Sequence, residues 1–138
     1  MGRVRFILLS FLLVLLGSCE RDGSDVTLHV GPYGEPTRKV LLLYEAGFNS
    51  LSGEIATNIA HLKRGYLPEK GQDNDVVLVF SHLQAPRGGF STETSPSIVQ
   101  LYSEHGEPCA DTLRVWPAGT PIANAAVMTD VFNWVHEQ

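Results

Sequence analysis

The chain has 138 residues, 43% of them apolar and 18% charged, with a formal net charge of −5. That length is enough for one domain with a real core. The ten Lys and Arg residues are scattered, so the electrostatic footprint of a nucleic-acid binder is missing and no nucleic-acid partner is expected.

Met1 to Ser18 reads as a targeting segment. Arg3 and Arg5 form a basic start, and Phe6 to Leu16 is an apolar run broken only by Ser10. A comfortable membrane span takes about 20 apolar residues, so this run is a signal-peptide core rather than a span. Leu16-Gly17-Ser18-Cys19 then matches a bacterial lipobox. Small residues let the chain enter the signal peptidase, and the lipid-transfer chemistry needs a thiol at the new N-terminus. Cys19 is therefore the expected lipid-attachment residue, and the membrane, held through that lipid, the expected partner. The plainer alternative is an ordinary signal peptide followed by a chance cysteine. The lipoprotein reading places the chain in the bacterial cell envelope, at the outer membrane or cell surface rather than the inner membrane.

Removing residues 1–18 leaves 120 residues with 8 basic and 15 acidic side chains, a net charge of −7. With Cys19 lipidated, Cys109 is the only remaining thiol, and an intrachain disulfide is impossible. Residues 19–37 are polar and carry Gly23, Gly31, Pro32, Gly34 and Pro36. They read as a flexible tether, with a short strand conceivable at Val26 to Val30. Glu20, Asp22 and Asp25 resemble export signals that follow the lipidated cysteine of some surface lipoproteins; a solvated linker explains them equally well.

Residues 38–138 read as the folded part. Val40 to Tyr44 is an unbroken apolar run, the pattern of a strand buried on both faces of a parallel sheet. Gly47, Asn49 and Ser50 supply turn chemistry, and Asn49 or Ser50 can cap a helix. Leu51, Ile55, Ile59, Leu62 and Tyr66 then form one helical stripe. Lys63 and Arg64 suit the last turn, Gly65 the position after it, and Pro68 blocks continuation. Val76 to Phe80 is the next apolar run, the expected second parallel strand of a βαβ unit.

Leu83 to Ser95 holds Pro86, Gly88 and Gly89 and reads as a loop. Gly88-Gly89 lacks the Gly-Lys-Ser/Thr of a phosphate loop. Ile98 to Tyr102 and Thr112 to Trp116 read as a hairpin separated by Ser103 to Asp111. A final helix follows, starting at Thr120-Pro121 or at Asn124, with Val127, Val131 and Trp134 or Val135 as its apolar stripe.

Leu41-Leu42-Leu43-Tyr44 followed by Asn49-Ser50-Leu51-Ser52 resembles the N-terminal signature of the clostripain family of cysteine peptidases. That family usually has an Asp before the Asn, where this chain has Phe48. The resemblance covers residues 38–138 and keeps the family's order of strand, helix, strand, hairpin and helix. It implies a caspase-like, Rossmann-like α/β open sheet with helices on its faces, present here as an incomplete N-terminal portion plus a β-hairpin. It further implies thiol attack on a peptide carbonyl, usually after a basic residue, with a protein or peptide as substrate.

In that family the catalytic His and Cys lie downstream of the matched region, each after its own apolar strand. The expected catalytic residues in this chain are therefore none. His105-Gly106 mimics the family's His-Gly dipeptide and Cys109 follows it, but both sit in one hairpin connection, too close for a pair drawn from two strand ends. His82 lies at the carboxyl end of the second strand, where open α/β sheets bind ligands. His61 and His136 lie in helices and His29 in the tether. No Cys, His and Asp grouping has metal-ligand spacing, and no Ser sits in a nucleophile elbow, so no metal and no cofactor are expected. A different class of function fits the same residues: a non-catalytic surface lipoprotein whose α/β domain binds a protein or glycan.

Overall fold

The structure is a computed structural model that describes residues 20–22, 28, 39–47, 50–87 and 90–138. The signal segment, Cys19 and most of the tether, His29 included, lie outside the described residues.

Nine elements follow one another: β1 (Glu20–Asp22), β2 (Lys39–Ala46), α1 (Ser52–Lys63), β3 (Asp75–His82), β4 (Gln84–Arg87), β5 (Phe90–Glu93), β6 (Ser97–Glu104), β7 (Glu107–Val115) and α2 (Ala125–Glu137). One mixed sheet has the strand order β1-β7-β6-β3-β2, and β4-β5 form a separate ribbon. β2 and β3 pair in parallel from Lys39↔Asp75 to Ala46↔His82, the βαβ unit that the two apolar runs imply. β6 and β7 form an antiparallel hairpin that adds to β3 through β6.

Alternation along β3 divides the core into two layers. Val76, Leu78 and Phe80 point to one face with Ile98, Leu113, Trp116 and Ile122, where Val131 of α2 is fully buried among them. Val77 and Val79 point to the other face with Leu101, Ala110 and Leu67, where Ile59 and Leu62 of α1 pack. The two helices thus lie on opposite faces. Full burial of one such side chain stabilises by about 1.5–3 kcal/mol, and β3 buries five in a row.

Several local expectations need correction. The run Val40 to Tyr44 does not become a doubly buried strand here. Among the described residues β2 has a neighbour on one side only, and Val40 and Leu41 stay 47% and 49% exposed. The helix begins after Leu51 with no side-chain cap, so Ser50 does not cap it, and Asn49 lies outside the described residues. Ile55, Ile59 and Leu62 form the packed stripe, whereas Leu51 and Tyr66 at its ends are exposed. The Tyr66 hydroxyl donates instead to Asp73 at 3.0 Å.

The expected loop after Leu83 contains the β4-β5 ribbon. Its strands pair from Gln84↔Glu93 to Arg87↔Phe90, and Gly88-Gly89 lie outside the described residues. Pro86 pairs with Ser91, which a ribbon made only of edge strands tolerates. The long connection expected from Ser103 to Asp111 shrinks to two residues, because Glu104 pairs with Glu107. His105 and Gly106 take the positive φ values, 57° and 81°, that such a turn requires.

The final helix starts at the second of its two expected positions. Asn124 Oδ1 accepts from the Ala126 N–H at 2.7 Å, while Thr120 donates back to the Pro117 carbonyl. At the other end of the sequence, the tether's first described residues are not free of the fold. Glu20–Asp22 pair in parallel with β7, at Glu20↔Ala110, Arg21↔Asp111 and Asp22↔Thr112. Among the described residues no helix is long and apolar enough to cross a membrane.

Candidate functional site at the carboxyl ends of the parallel strands

Two adjacent parallel strands expose their last carbonyl groups at one edge, and ligands of open α/β sheets bind in the crevice outside it. Here that edge is formed by Ala46 and His82, which pair directly. Gly47 N–H donates to the His82 carbonyl at 3.2 Å and extends the ladder by one bond. A side chain at residue 47 would meet the Cδ1 methyl of Ile55 and the Cδ2 methyl of Leu83, both free ends of flexible side chains that must turn aside to admit it.

Ser52, the first residue of α1, ties this edge together. Its hydroxyl donates to the Gly47 carbonyl and accepts from the Gln84 N–H at 3.2 Å. One buried hydroxyl therefore joins the β2-α1 turn to the start of β4. On the far side of that strand end, Thr94 Oγ1 donates to the Leu83 carbonyl at 2.7 Å and the Thr94 N–H donates to the same carbonyl at 3.1 Å. These bonds tie the strand ends, the first turn of α1 and the start of β4 into one backbone platform.

His82 stands at the position expected for a site residue, but it is only 3% exposed. It takes the same face of β3 as Leu78 and Phe80, the face that α2 covers. An imidazole placed there is not presented to a solvent-borne substrate.

The remaining sequence candidates lie elsewhere. His105 occupies the β6-β7 turn, at the opposite end of β6 from the Ser81↔Ser97 pair that adjoins His82. Its backbone N–H donates to Glu69 Oε1 at 2.7 Å. Cys109 is 2% exposed and lies across from Tyr102 inside the hairpin. The structure therefore gives no thiol and imidazole at one open edge from these two residues. His61 and His136 are exposed helix residues. Among the described residues no group of three or more His, Cys, Asp and Glu could hold a metal ion.

Two features were not anticipated. Gln100 and Asp111 are almost fully buried and pair across β6 and β7. Tyr102 donates to Asp111 Oδ2 at 3.0 Å, and burial together with this bond holds the Tyr102 phenol well above its usual titration range. Asp111 seemed part of a connecting loop; the only sequence signal was its place two residues after Cys109, in step with a strand. The second feature is an open groove of about 290 Å³ between α1 and the hairpin, lined by Ile59, Lys63, Val79, Val99, Leu101 and Thr112.

No protein-family model and no curated protein matches the sequence. Solved structures do match. An inactive zymogen C11 protease from Parabacteroides distasonis aligns with a TM-score of 0.56 at 21% identity, over 81% of this chain and 28% of that one. A clostripain from Bacteroides thetaiotaomicron in complex with a peptide inhibitor aligns with a TM-score of 0.54 at 18% identity, over 75% of this chain and 80% of that one. A secreted C11 cysteine protease from Bacteroides thetaiotaomicron, iotapain, aligns with a TM-score of 0.55 at 19% identity, over 75% of this chain and 27% of that one. The chain thus spans little more than a quarter of the length of two of these proteins. Its two-helix mixed sheet has the caspase-like α/β fold of these C11, clostripain-type cysteine proteases.

Proposed function

We propose that this chain is the N-terminal portion of a clostripain-like cysteine endopeptidase, anchored to a membrane through lipid on Cys19. The observation that carries the reading is the match of strand, helix, strand, hairpin and helix to three cysteine proteases of one type. In this reading the chain supplies the platform at Ala46, Gly47 and Ser52. The reacting groups are a thiolate that attacks the peptide carbonyl and an imidazole that takes up the thiol proton. They come from sequence outside the matched region.

The burial of Cys109 and the placement of His105 on a distant turn support inactivity of the 138-residue chain on its own. The same two facts favour the second reading, a non-catalytic surface lipoprotein whose α/β domain binds a protein or glycan.

Peptides with Arg or Lys before the scissile bond test the proposal. The purified 138-residue protein is expected to leave them intact, and a chain extended by downstream coding sequence with an apolar strand ending in His-Gly and another ending in Cys is expected to cleave them. Cleavage by the short chain that Cys109→Ala abolishes overturns the assignment. A gene that ends at Gln138 without such downstream sequence favours the binding module.

A further inference from the structure

The pairing of β1 fixes where the chain leaves the sheet. Glu20 lies in one row with Ala110, Leu101, Val77 and Leu41, running across all five strands. Cys19 is joined to Glu20 by a single peptide bond. A lipid on Cys19 therefore has no intervening residue before the folded sheet, where the sequence reads as a tether of residues 19–37.

β1, β7, β3 and β2 all run in the same direction. The candidate edge at Ala46 and His82 lies five residues beyond the Leu41 and Val77 row, about 17 Å at the usual rise per strand residue. β2 also lies four strand spacings from β1, about 19 Å across the sheet. Glu20 and the platform are thus placed at diagonally opposite corners, about 25 Å apart. The β6-β7 turn lies on the anchor's side, since Glu107 is only three residues before Ala110 in β7.

Resting on the lipid-anchor reading above, we infer that the domain docks against the bilayer surface through its β1-β7 side and the His105-Gly106 turn, and points the carboxyl ends of β2 and β3 away from the membrane. The acyl chains supply the affinity. The mixed charge near the turn, with Lys70 paired to Glu104 at 2.9 Å, asks for no electrostatic attraction. The short spacer supplies the orientation. A substrate then reaches the platform from the aqueous side rather than from between protein and lipid.

Single fluorescent probes on Glu107→Cys and Ser50→Cys test this in the full-length protein, extracted from membranes with its lipid and reconstituted in phosphatidylethanolamine and phosphatidylglycerol vesicles. Both residues are exposed, whereas the buried Cys109 and the lipid-blocked Cys19 take no label. With nitroxide headgroup lipid present, the probe at residue 107 should lose most of its emission and the probe at residue 50 should keep it. Inserting about ten Gly and Ser residues between Cys19 and Glu20, a reach of about 17 Å, should restore the emission at residue 107. Equal quenching at both positions, stronger quenching at residue 50, or no response to the insertion overturns the orientation. A protein whose mass shows no lipid adduct on Cys19, or that salt washes from the membrane, overturns the anchor itself and the orientation with it.

Discussion

The Tyr102 hydroxyl donates to Asp111 Oδ2 at 3.0 Å across the β6-β7 pair, with both residues almost completely shielded from water. A buried carboxylate oxygen that loses such a donor keeps its desolvation cost without the bond. Tyr102→Phe should therefore lower stability by about 1–3 kcal/mol, read from urea unfolding of the two proteins. A change within a few tenths would mean that the pair is replaceable by water. Tyr102 also makes the protein sensitive to alkali. Its folded pKa is raised above the unfolded value of 10.0, so its contribution is intact below pH 10.0 and is lost as pH rises toward the folded value. Tyr102→Phe should flatten that alkaline arm.

An added methyl group at Gly47 would meet the Cδ1 methyl of Ile55, the free end of its side chain, so Ile55 must turn aside to admit it. Because that end can move, the cost stays near the low end of the range for overpacking, about 1–3 kcal/mol. Gly47→Ala is expected to lower the melting temperature, and a paired Ile55→Val change to recover part of the loss. An undisturbed melting temperature in Gly47→Ala would show that the turn is looser than its contacts indicate.

The cap of α2 rests on one bond from Asn124. Asn124→Ala should cost about 1 kcal/mol and Asn124→Asp much less, because the aspartate retains an acceptor and favours the helix N-terminus. Helicity by circular dichroism and thermal unfolding report the difference. Equal losses in both variants would place the effect elsewhere.

Glu69 is held below the ordinary carboxylate range, first by a hydrogen bond from the Ser103 side chain and then by the His105 backbone N–H. A depressed folded pKa stabilises above the unfolded value of 4.5 and that stabilisation disappears as pH falls through the folded value. Glu69→Gln should make stability less dependent on pH below 4.5, and NMR titration should find Glu69 protonating below the ordinary glutamate range.

Among the described residues the outer edge of β2 has no strand beside it and carries Val40 and Leu41 half exposed, and an apolar unpaired strand edge templates association. A protein of residues 19–138 should self-associate on size-exclusion chromatography. Leu41→Lys should shift it toward the monomer. A cooperatively melting monomer in the unmodified protein would show that this edge needs no neighbour.

The sequence by itself determined the local elements wherever period and punctuation agreed. The apolar run at Val76 to Phe80 marked the second parallel strand, and the spacing of Ile55, Ile59 and Leu62 specified one packed helix face. Thr120-Pro121 and Asn124 both read as starts of α2, and the structure selects Asn124, whose side-chain oxygen accepts the Ala126 N–H. The same reasoning failed where a residue's environment is set by distant chain. Val40 to Leu43 are as apolar as β3, yet only tertiary pairing decides that, among the described residues, β3 lies between two strands and β2 has one. Glycine and proline punctuate both loops and tight hairpins, so residues 83–95 looked unstructured until Gln84 and Glu93 were brought into register. Asp111 carries no local sign of burial; it is buried because β7 folds back on β6 and sets Tyr102 within reach. His82, too, was correctly placed at the end of a strand by its position in the chain. Whether its ring faces substrate or core depends on the alternation of β3 and on the helix that covers that face, and those are decided only when α2 packs against Phe80 and Leu78.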